Sequence, residues 1–337
     1  GTVSANGGNA TANYGGGGSG GGVYIKNGSP TLEDCLIVDN ASGAYGTMGG
    51  GGHARMISSQ IAPDGLLIGI DQDKDAIHHA RNDLARFDSR VQLVHANFAD
   101  LDGILDDLGI AHVDAILLDI GLSRHQLQDS GRGFSFRRNE PLDMRMNTDE
   151  PIAAADIIQT ADEQSLTRIF RDYGEERRSR AFARAIVQAR ERTDLTRSGN
   201  LADLITRIVP RREAAKYKIH PATRVFMALR IAVNRELERL EQVLPVAIER
   251  LLPGGRLCVL SFHSLEDRIV KHRFREMSRG CRCDPRLPSC ICEGRPRVRL
   301  LTRKVVRPGE AEVAANPLAR STRLRAVEKL NPEGNPP

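Results

Sequence analysis

The sequence predicts a doubly wound α/β domain with a mostly parallel sheet and an inserted helical subdomain. Three observations lead to this prediction. Nearly continuous apolar runs such as "LLIGID" and "VDAILLDIG" alternate with helical patterns, as in parallel sheets that are covered by helices on both faces. The alternation stops between residues 137 and 222, where the sequence is charged and helical. It then resumes with another buried strand, "RLCVLS".

Each element follows from a local pattern. "HARMISSQI", directly after a run of glycines, has helical spacing, and Pro63-Asp64-Gly65 forms the turn into "LLIGID". The patterns that follow predict, in order, a helix at 74–86, a strand at 91–95, a helix at 101–108 and a strand at 113–121. After the charged helical region, a single long helix is expected at 223–251, and a Pro-Gly-Gly turn then leads into the resumed strand.

The first 46 residues differ from the rest of the chain. They are rich in glycine, and "GGGVYIKNGSPTLEDCLIVDN" reads as short strands separated by turns. The segment resembles one coil of a right-handed parallel β-helix, as found in extracellular repeat proteins. A single coil cannot bury its own apolar face, so we expect poor order there. The expected domains are therefore 1–46, 47–136, the helical insertion 137–222, and 223–330.

Composition limits the class of protein. With 40% hydrophobic residues in 337, the chain can bury a large core. No apolar run is long enough for a membrane span and no signal peptide is recognised, so we expect a cytoplasmic protein without a membrane partner. Basic residues are concentrated in 256–337, which indicates either a polyanionic partner or solvated surface charge. The oligomeric state stays open, with a homodimer as one alternative.

Four of the six cysteines form a cluster. "CRCDPRLPSCIC" places Cys281, Cys283, Cys290 and Cys292 in a C-x-C-x6-C-x-C pattern. Four thiolates so close together suit a tetrahedral zinc site, although C-x-C strains chelation by both sulfurs. A reduced or redox-labile loop is the alternative.

The predicted strand ends carry polar residues. Open α/β sheets bind ligands beyond the carboxyl ends of their strands. The glycine loop "GGGGH" (49–53) opens a helix, Asp71 ends one strand, Asn97-Phe98 follows the next, and Asp119 ends the fourth. Asp71 lies at the chain distance of a ribose-binding acid in nucleotide folds, although an Asp after a strand is often only a helix cap.

This pattern indicates an adenosine-containing ligand but does not choose between a nicotinamide cofactor and S-adenosylmethionine, because both present adenosine. Ala54 stands where a G-x-G-x-x-G motif would have its third glycine. A dehydrogenase is therefore disfavoured.

Three longer strings carry a resemblance to a known family. They are "DIGLSRHQLQDSGRGFSFRRNEPLDMRM", "HPATRVFMALRIAVNRELERLE" and "GGRLCVLSFHSLEDRIVK", and "GGGGHARMI" agrees with them. From about residue 47 to 329 the chain resembles the ribosomal RNA small-subunit methyltransferase H family. The resemblance implies a Rossmann-like methyltransferase that uses S-adenosylmethionine to methylate N4 of a cytosine in the decoding region of 16S rRNA, within the small ribosomal subunit.

The resemblance also implies roles for residues. Those expected around the methyl donor are Gly51, Gly52, His53, Asp71, Phe98, Asp119 and Gln126. Cytosine N4 is a poor nucleophile, so the enzyme must position it and accept its proton. The candidate acceptors are Asp119, His263 and Glu266, with a structural cap as the alternative for His263.

Basic and aromatic residues within or beside the same strings are candidates for RNA contact. The expected phosphate ligands are Arg132, Arg137, Arg138, Arg145, Arg224, Arg230 and Arg268. Phe134 and Phe136 are candidates for stacking on an unpaired base, with core packing as the alternative.

The chain departs from the family before the glycine loop, where no apolar run immediately precedes it. "CLIV" (35–38) could substitute for the missing first strand only across an unusually long connection. We therefore hypothesise a fusion or assembly chimera with its seam at Thr47-Met48. The alternative functions are an RNA-binding chimera that lost cofactor binding with its first strand, or a remnant of an extracellular adhesin. Arg124 and Gln128 are smaller departures, in the loop of Gln126.

Overall fold

A computed structural model describes residues 52–331, apart from 59–60, 62–64, 211, 213–216, 218, 280–282 and 284–293. Of the first 51 residues it describes only strands. The described chain forms two compact units. One consists of residues 1–123 with 238–337, and the other of residues 124–237.

The strands are β1 (Thr2–Asn6), β2 (Asn9–Asn13), β3 (Tyr24–Lys26), β4 (Asp34–Asp39), β5 (Leu66–Asp71), β6 (Val91–His95), β7 (Val113–Asp119), β8 (Leu251–Ser261), β9 (Val298–Leu300) and β10 (Arg323–Lys329). The helices are α1 (Gly52–Ser58), α2 (Lys74–Leu84), α3 (Leu101–Asp107), α4 (Arg124–Gln128), α5 (Ala154–Thr160), α6 (Glu163–Asp172), α7 (Ser179–Ala189), α8 (Ser198–Ile208), α9 (Ala222–Asn234), α10 (Glu236–Arg250), α11 (Ser264–Arg279) and α12 (Glu310–Ala315).

The first unit contains a seven-stranded sheet in the order β6-β5-β4-β7-β8-β10-β9. The strands from β6 to β8 pair in parallel, whereas β10 is antiparallel to both β8 and β9. The chain moves outward from β4 in one direction and then from β7 in the other. The predicted α/β class with a mostly parallel sheet is confirmed, and the reversal between β4 and β7 marks where such a sheet binds ligands.

Apolar side chains cover both faces of this sheet. On one face Ile68, Ile116 and Val259 pack with Val243 of α10 and Phe274 of α11. On the other face, separate clusters form around Leu67 of β5 and around Cys258 of β8. Burial on both faces explains why the strand sequences read as continuous apolar runs instead of alternating ones.

The sheet does not lack its first strand, so the premise of the impaired-chimera alternative is wrong. Residues 35–38 of β4 pair in parallel with β5 on one side and with β7 on the other. "CLIV" therefore occupies a central position, and α1 begins at Gly52, beyond residues 40–51, which lie outside the described part. The expected seam at residues 47–48 does not mark the start of the sheet.

The other three strands of residues 1–46 form a separate sheet in the order β2-β1-β3. β1 pairs antiparallel with β2 and parallel with β3, so this sheet is mixed, whereas the strands of a parallel β-helix all pair in parallel. The rest of the segment, on which the expectation of poor order falls, lies outside the described residues.

The long helix expected at 223–251 is two helices. α9 ends at Asn234, and Arg235 has the left-handed conformation with φ of 49°. A left-handed residue cannot continue a right-handed helix, so the chain turns before α10 begins. The predicted strand at 91–95 has the predicted bounds, and the predicted helix at 74–86 ends two residues earlier, at Leu84.

The second unit is helical. Fully buried side chains of α5 to α9 form its core, including Ile158, Phe170, Phe182, Leu201 and Val225. The domain boundaries expected from the sequence, 136/137 and 222/223, lie inside this unit. In the part of the chain that the structure describes, no helix is both long enough and apolar enough to cross a bilayer.

The buried thiol of Cys258 gives a test of the sheet. Burial raises the pKa of Cys258 to about 12, and the side chain is 1% exposed within its cluster. Because the thiolate is the reactive form, we expect no alkylation of Cys258 in the native protein at neutral pH and complete alkylation after denaturation, by peptide mass mapping. Equal labelling rates in the two states would contradict the placement of β8.

Candidate active site

Two carboxylates end β5 and β7, the two strands that flank β4 in the parallel sheet. Val38 of β4 pairs with Ile70 on one side and with Leu118 on the other, so Asp71 and Asp119 lie level, one residue beyond. With one strand between them, their backbones are about 10 Å apart. The parallel register thus places both acids at the carboxyl edge, where the sequence analysis expected them.

Asp119 is fully buried and contacts a histidine. His53 Nδ1, from the second residue of α1, lies 2.9 Å from Asp119 Oδ2. The Oδ1 atom of Asp119 has no hydrogen-bond donor among the residues that the structure describes. A buried carboxylate oxygen without a donor is costly, and it is the kind of group that a ligand's N–H satisfies.

The chain after Asp119 is shaped by a glycine. Gly121 has a φ of 130°, and a Cβ atom there would lie 2.9 Å from the ring of Phe262. Only glycine combines that conformation with this close approach, so the loop following β7 runs directly against the loop following β8.

Asp71 organises the start of α2. Its Oδ1 accepts a hydrogen bond from the backbone N–H of Asp73 at 2.7 Å, and Asp73 in turn caps α2 by accepting from Asp75 N. The backbone oxygen of Asp71 accepts from Ala96 N. The Asp71 side chain is thus held at the strand end by the start of α2, in agreement with the alternative that it serves as a helix cap. Its binding of a ribose stays a prediction.

A network that the sequence analysis missed surrounds Gln72. Its Oε1 accepts from Asn97 Nδ2 at 2.7 Å and from Arg239 at 2.8 Å, and its backbone oxygen lies 3.0 Å from His95 Nε2. Both ends of the Asn97 amide are occupied, since its oxygen accepts from Ala99 N. No spacing in the sequence connects Gln72 with Arg239, which is far along the chain.

Phe98 is only 3% exposed and belongs to the main core cluster. Its ring packs in that cluster with apolar residues of the sheet. Its expected contact with the methyl donor stays a prediction.

The end of β8 carries the other two candidate acceptors. Glu266 Oε2 accepts from the backbone N–H groups of Phe262 and His263, at 2.8 and 3.2 Å, and its Oε1 lies 2.9 Å from His263 Nε2. This carboxylate closes the first turn of α11 as a helix cap does. The structural cap that was the alternative role for His263 is therefore supplied by Glu266. The second oxygen of Glu266 lies beside the His263 ring and positions it.

Three further residues are expected around the methyl donor, namely Gly51, Gly52 and Gln126. Gly51 lies outside the described residues, and Gly52 is the first residue of α1. Gln126 is buried in α4, in the second unit. The two family departures beside it interact with each other, because Arg124 Nε donates to Gln128 Oε1 at 2.9 Å.

Three of the arginines expected to contact RNA are engaged inside the second unit. Arg132 donates to the carbonyls of Arg145 and Met146, and Arg230 forms a two-bond ion pair with Glu236. Arg145 forms a similar pair with Asp143. Burial raises the pKa of Asp143, but hydrogen bonds and charge from Arg145 outweigh it, and the net pKa is lowered.

The other basic candidates are more accessible. Arg137, Arg138 and Arg268 are exposed, and Arg224 is partly exposed while donating to the Glu175 carbonyl. Phe134 is buried under the Arg132 guanidinium, and Phe136 stacks on His220 with ring centroids 4.5 Å apart. Of the two aromatic candidates, Phe136 is thus the more exposed.

One buried amide fixes the loop that carries these residues. Asn234, at the end of α9, accepts from Met146 N and donates to the Met144 carbonyl, both at 2.8 Å. Met144 has a positive φ of 59° and is fully buried. The sequence analysis did not single out Asn234, although a polar residue at a buried position of an apolar helix face is a usable signal.

The proposed zinc ligands are mostly outside the described part. Cys281, Cys290 and Cys292 fall there, and Cys283 is described as half-buried. Both alternatives for the loop stay predictions.

The sequence of the chain is similar to that of a known protein family. A sequence profile described as the MraW methylase family matches residues 33–330. A protein from Desulfosudis oleivorans named ribosomal RNA small subunit methyltransferase H is 55% identical over 284 residues, covering 84% of this chain and 91% of that protein. A protein of the same name from Syntrophotalea carbinolica is 52% identical over 285 residues, covering 85% and 90%.

Among solved structures, an rRNA methylase from Streptococcus thermophilus is similar with a TM-score of 0.37 and 10% identity, covering 89% of this chain and 90% of that one. At this TM-score and identity, the similarity supports no conclusion about the function of the chain.

Replacing Asn234 tests the loop assignment. Asn234→Ala leaves a buried N–H and a buried carbonyl without partners, so we expect a loss of about 2–4 kcal/mol in the free energy of unfolding. The matched control is Asn200→Ala, whose partly exposed amide donates to the Asp194 carbonyl, with an expected loss of about 0.5 kcal/mol or less. Denaturant titration measures both, and equal losses would contradict the assignment.

Proposed function

The chain belongs to the MraW methylase family, and on that premise we propose that it methylates N4 of a cytosine in the decoding region of 16S rRNA, with S-adenosylmethionine as the methyl donor. The observation that carries the proposal is the family match over residues 33–330, since it spans both units. The curated relatives at 52–55% identity have names that place their action on small-subunit ribosomal RNA.

The family match starts before residue 47, where the resemblance drawn from the motifs was expected to start. It thus includes β4, in agreement with the place of that strand in the sheet. The comparisons give no support to a parallel β-helix or an adhesin.

The carboxyl edge of the sheet suits the methyl donor. The donor carries an ammonium group and a ribose with two hydroxyls, all of them hydrogen-bond donors. Asp119 Oδ1, which is buried without a donor among the described residues, fits the ammonium group, and Asp71, at the end of β5 two strands away, fits the ribose. Gly52 and His53 open α1 beside them, where the backbone N–H groups of a helix start face a polar ligand.

When bound, S-adenosylmethionine supplies a methyl group that its sulfonium already activates. The residues of the chain must therefore position cytosine N4 in line with that methyl and accept one proton. His263, whose Nε2 lies 2.9 Å from Glu266 Oε1, is the candidate acceptor on this account, because the ammonium group and His53 take up the two oxygens of Asp119. Glu266 acts on this account through His263, because two backbone amides occupy one of its oxygens.

The exposed arginines are the better candidates for RNA contact. Arg137, Arg138 and Arg268 have accessible side chains, whereas Arg132, Arg145 and Arg230 are engaged by carbonyls or carboxylates. We therefore assign phosphate contact to the first group and loop structure to the second.

Asp119→Asn tests the reaction. The amide keeps the shape but loses the negative charge, so we expect methyl transfer to small ribosomal subunits to fall about a hundredfold or more, with the fold retained. The matched control is Asp83→Asn, on the exposed face of α2, which should leave the rate unchanged.

The measurement is transfer of labelled methyl with mass mapping of the modified nucleoside. A product carrying the methyl on another atom of the base would contradict the N4 assignment. An unchanged rate in Asp119→Asn would contradict the role of Asp119.

A further inference from the structure

The two ends of β10 differ in how their basic side chains are neutralised. Toward its C-terminal end, Arg256 and Arg299 both pair with Glu328, at 3.3 and 2.6 Å. In the middle, Arg325 forms a two-bond ion pair with Asp267 of α11. Each cation there is compensated by an acid of the same unit, as is usual for a structural surface.

Five basic residues near the other end are not compensated in this way. They lie in the segment 301–323, whose only acids are Glu310 and Glu312. Among the residues that the structure describes, none of the five side chains has a hydrogen-bond or ion-pair partner. We call the group the edge basic surface, and its members are Arg303, Lys304, Arg307, Arg320 and Arg323.

The strand register fixes the place of this surface. Arg323 pairs with Ser261, the last residue of β8, and Leu260 pairs with Asp119. The N-terminal end of the antiparallel strand β10 therefore lies at the carboxyl edge of the parallel strands. The edge basic surface is on the same edge of the sheet as the candidate active site, two strands along from β7.

Two of the five cations adjoin a backbone bridge between the segment and β10. Val306 and Leu324 form an antiparallel bridge with hydrogen bonds of 3.1 and 2.9 Å in the two directions. Arg307 follows Val306 and Arg323 precedes Leu324, so each arginine adjoins this bridge on its own segment. Like charges brought close together on neighbouring segments are unfavourable, and an anion between them offsets their repulsion.

Arg323 also has a buried donor that needs an acceptor. Its Nη1 is inaccessible to solvent and has no hydrogen-bond partner among the described residues. A buried charged donor without an acceptor costs free energy. The guanidinium fork matches the paired oxygens of a phosphate, and so a phosphate would satisfy it.

We propose that the edge basic surface binds the phosphate backbone of the RNA substrate beside the target nucleotide. This rests on the proposed function, since it assigns part of the substrate contact to the sheet-containing unit. No aromatic residue lies in 301–323, so the surface contacts phosphates and does not stack on bases.

The test compares two triple variants that remove the same charge. One is Arg307→Gln, Arg320→Gln, Arg323→Gln in the edge basic surface. The control is Arg273→Gln, Arg297→Gln, Arg299→Gln, whose arginines are partly or largely exposed and each pair with a glutamate of the same unit. Thermal unfolding verifies that both are folded, and the single variant Arg320→Gln replaces the triple if the triple is not.

Filter binding to small subunits and to protein-free 16S rRNA, over a range of salt and without methyl donor, gives the result. We expect the edge variant to bind both about tenfold more weakly, with a salt slope lower by about 2–3, and the control to bind within about twofold of the unsubstituted chain. Affinity for S-adenosylmethionine, measured by calorimetry, should be unchanged.

Equal affinity and slope in the two variants would overturn the proposal. Weaker binding to subunits alone, with binding to protein-free RNA unchanged, would also overturn it and assign the surface to a ribosomal protein. The binding assay contains no methyl donor, so it does not depend on the methylation reaction. A chain that binds RNA through this surface but fails to methylate it would contradict the proposed function and leave the proposal for the surface standing.

Discussion

The pairing of β4 with both β5 and β7 is the constraint on which the rest of the structure depends. A central strand satisfies the backbone groups of two neighbours at once, and each unpaired buried group would cost free energy comparable with a lost hydrogen bond. The same pairing sets the register that makes Asp71 and Asp119 level. Without β4, two half-sheets would face each other across unsatisfied ladders, and the carboxyl edge would have no fixed geometry.

The chemistry of the edge follows from this register. Asp119 and the Ser261 end of β8 are brought side by side, so that His53, His263 and the loop glycine Gly121 can hold their positions at one edge. The antiparallel turn of β10 then returns basic residues to that edge. A donor site, proton acceptors and a cationic surface thus come from one sheet, without any of them being close in sequence.

The sequence predicted what depends on local pattern and missed what depends on tertiary placement. Continuous apolar runs that alternate with helical patterns predicted the parallel sheet. The acids at the ends of two of those runs, Asp71 and Asp119, predicted the polar carboxyl edge. The central place of "CLIV" is not predictable from the sequence, because the connection from it to the glycine loop is longer than is usual in such sheets. The helix break at Arg235 is not predictable either, because arginine is a good helix former. The contact of Gln72 with Arg239 and the bridge that brings Arg307 near β10 depend on tertiary pairings, which local spacing in the sequence does not show.

A truncation pair tests the central claim that β4 holds the sheet together. One variant removes residues 1–33 and keeps β4, and the other removes residues 1–40 and deletes it. Denaturant unfolding, followed by far-ultraviolet and near-ultraviolet circular dichroism, compares their cooperativity. The account predicts that the first variant unfolds in the same cooperative transition as the full chain and that the second has no such transition. Cooperative unfolding at the same midpoint in both variants would contradict it.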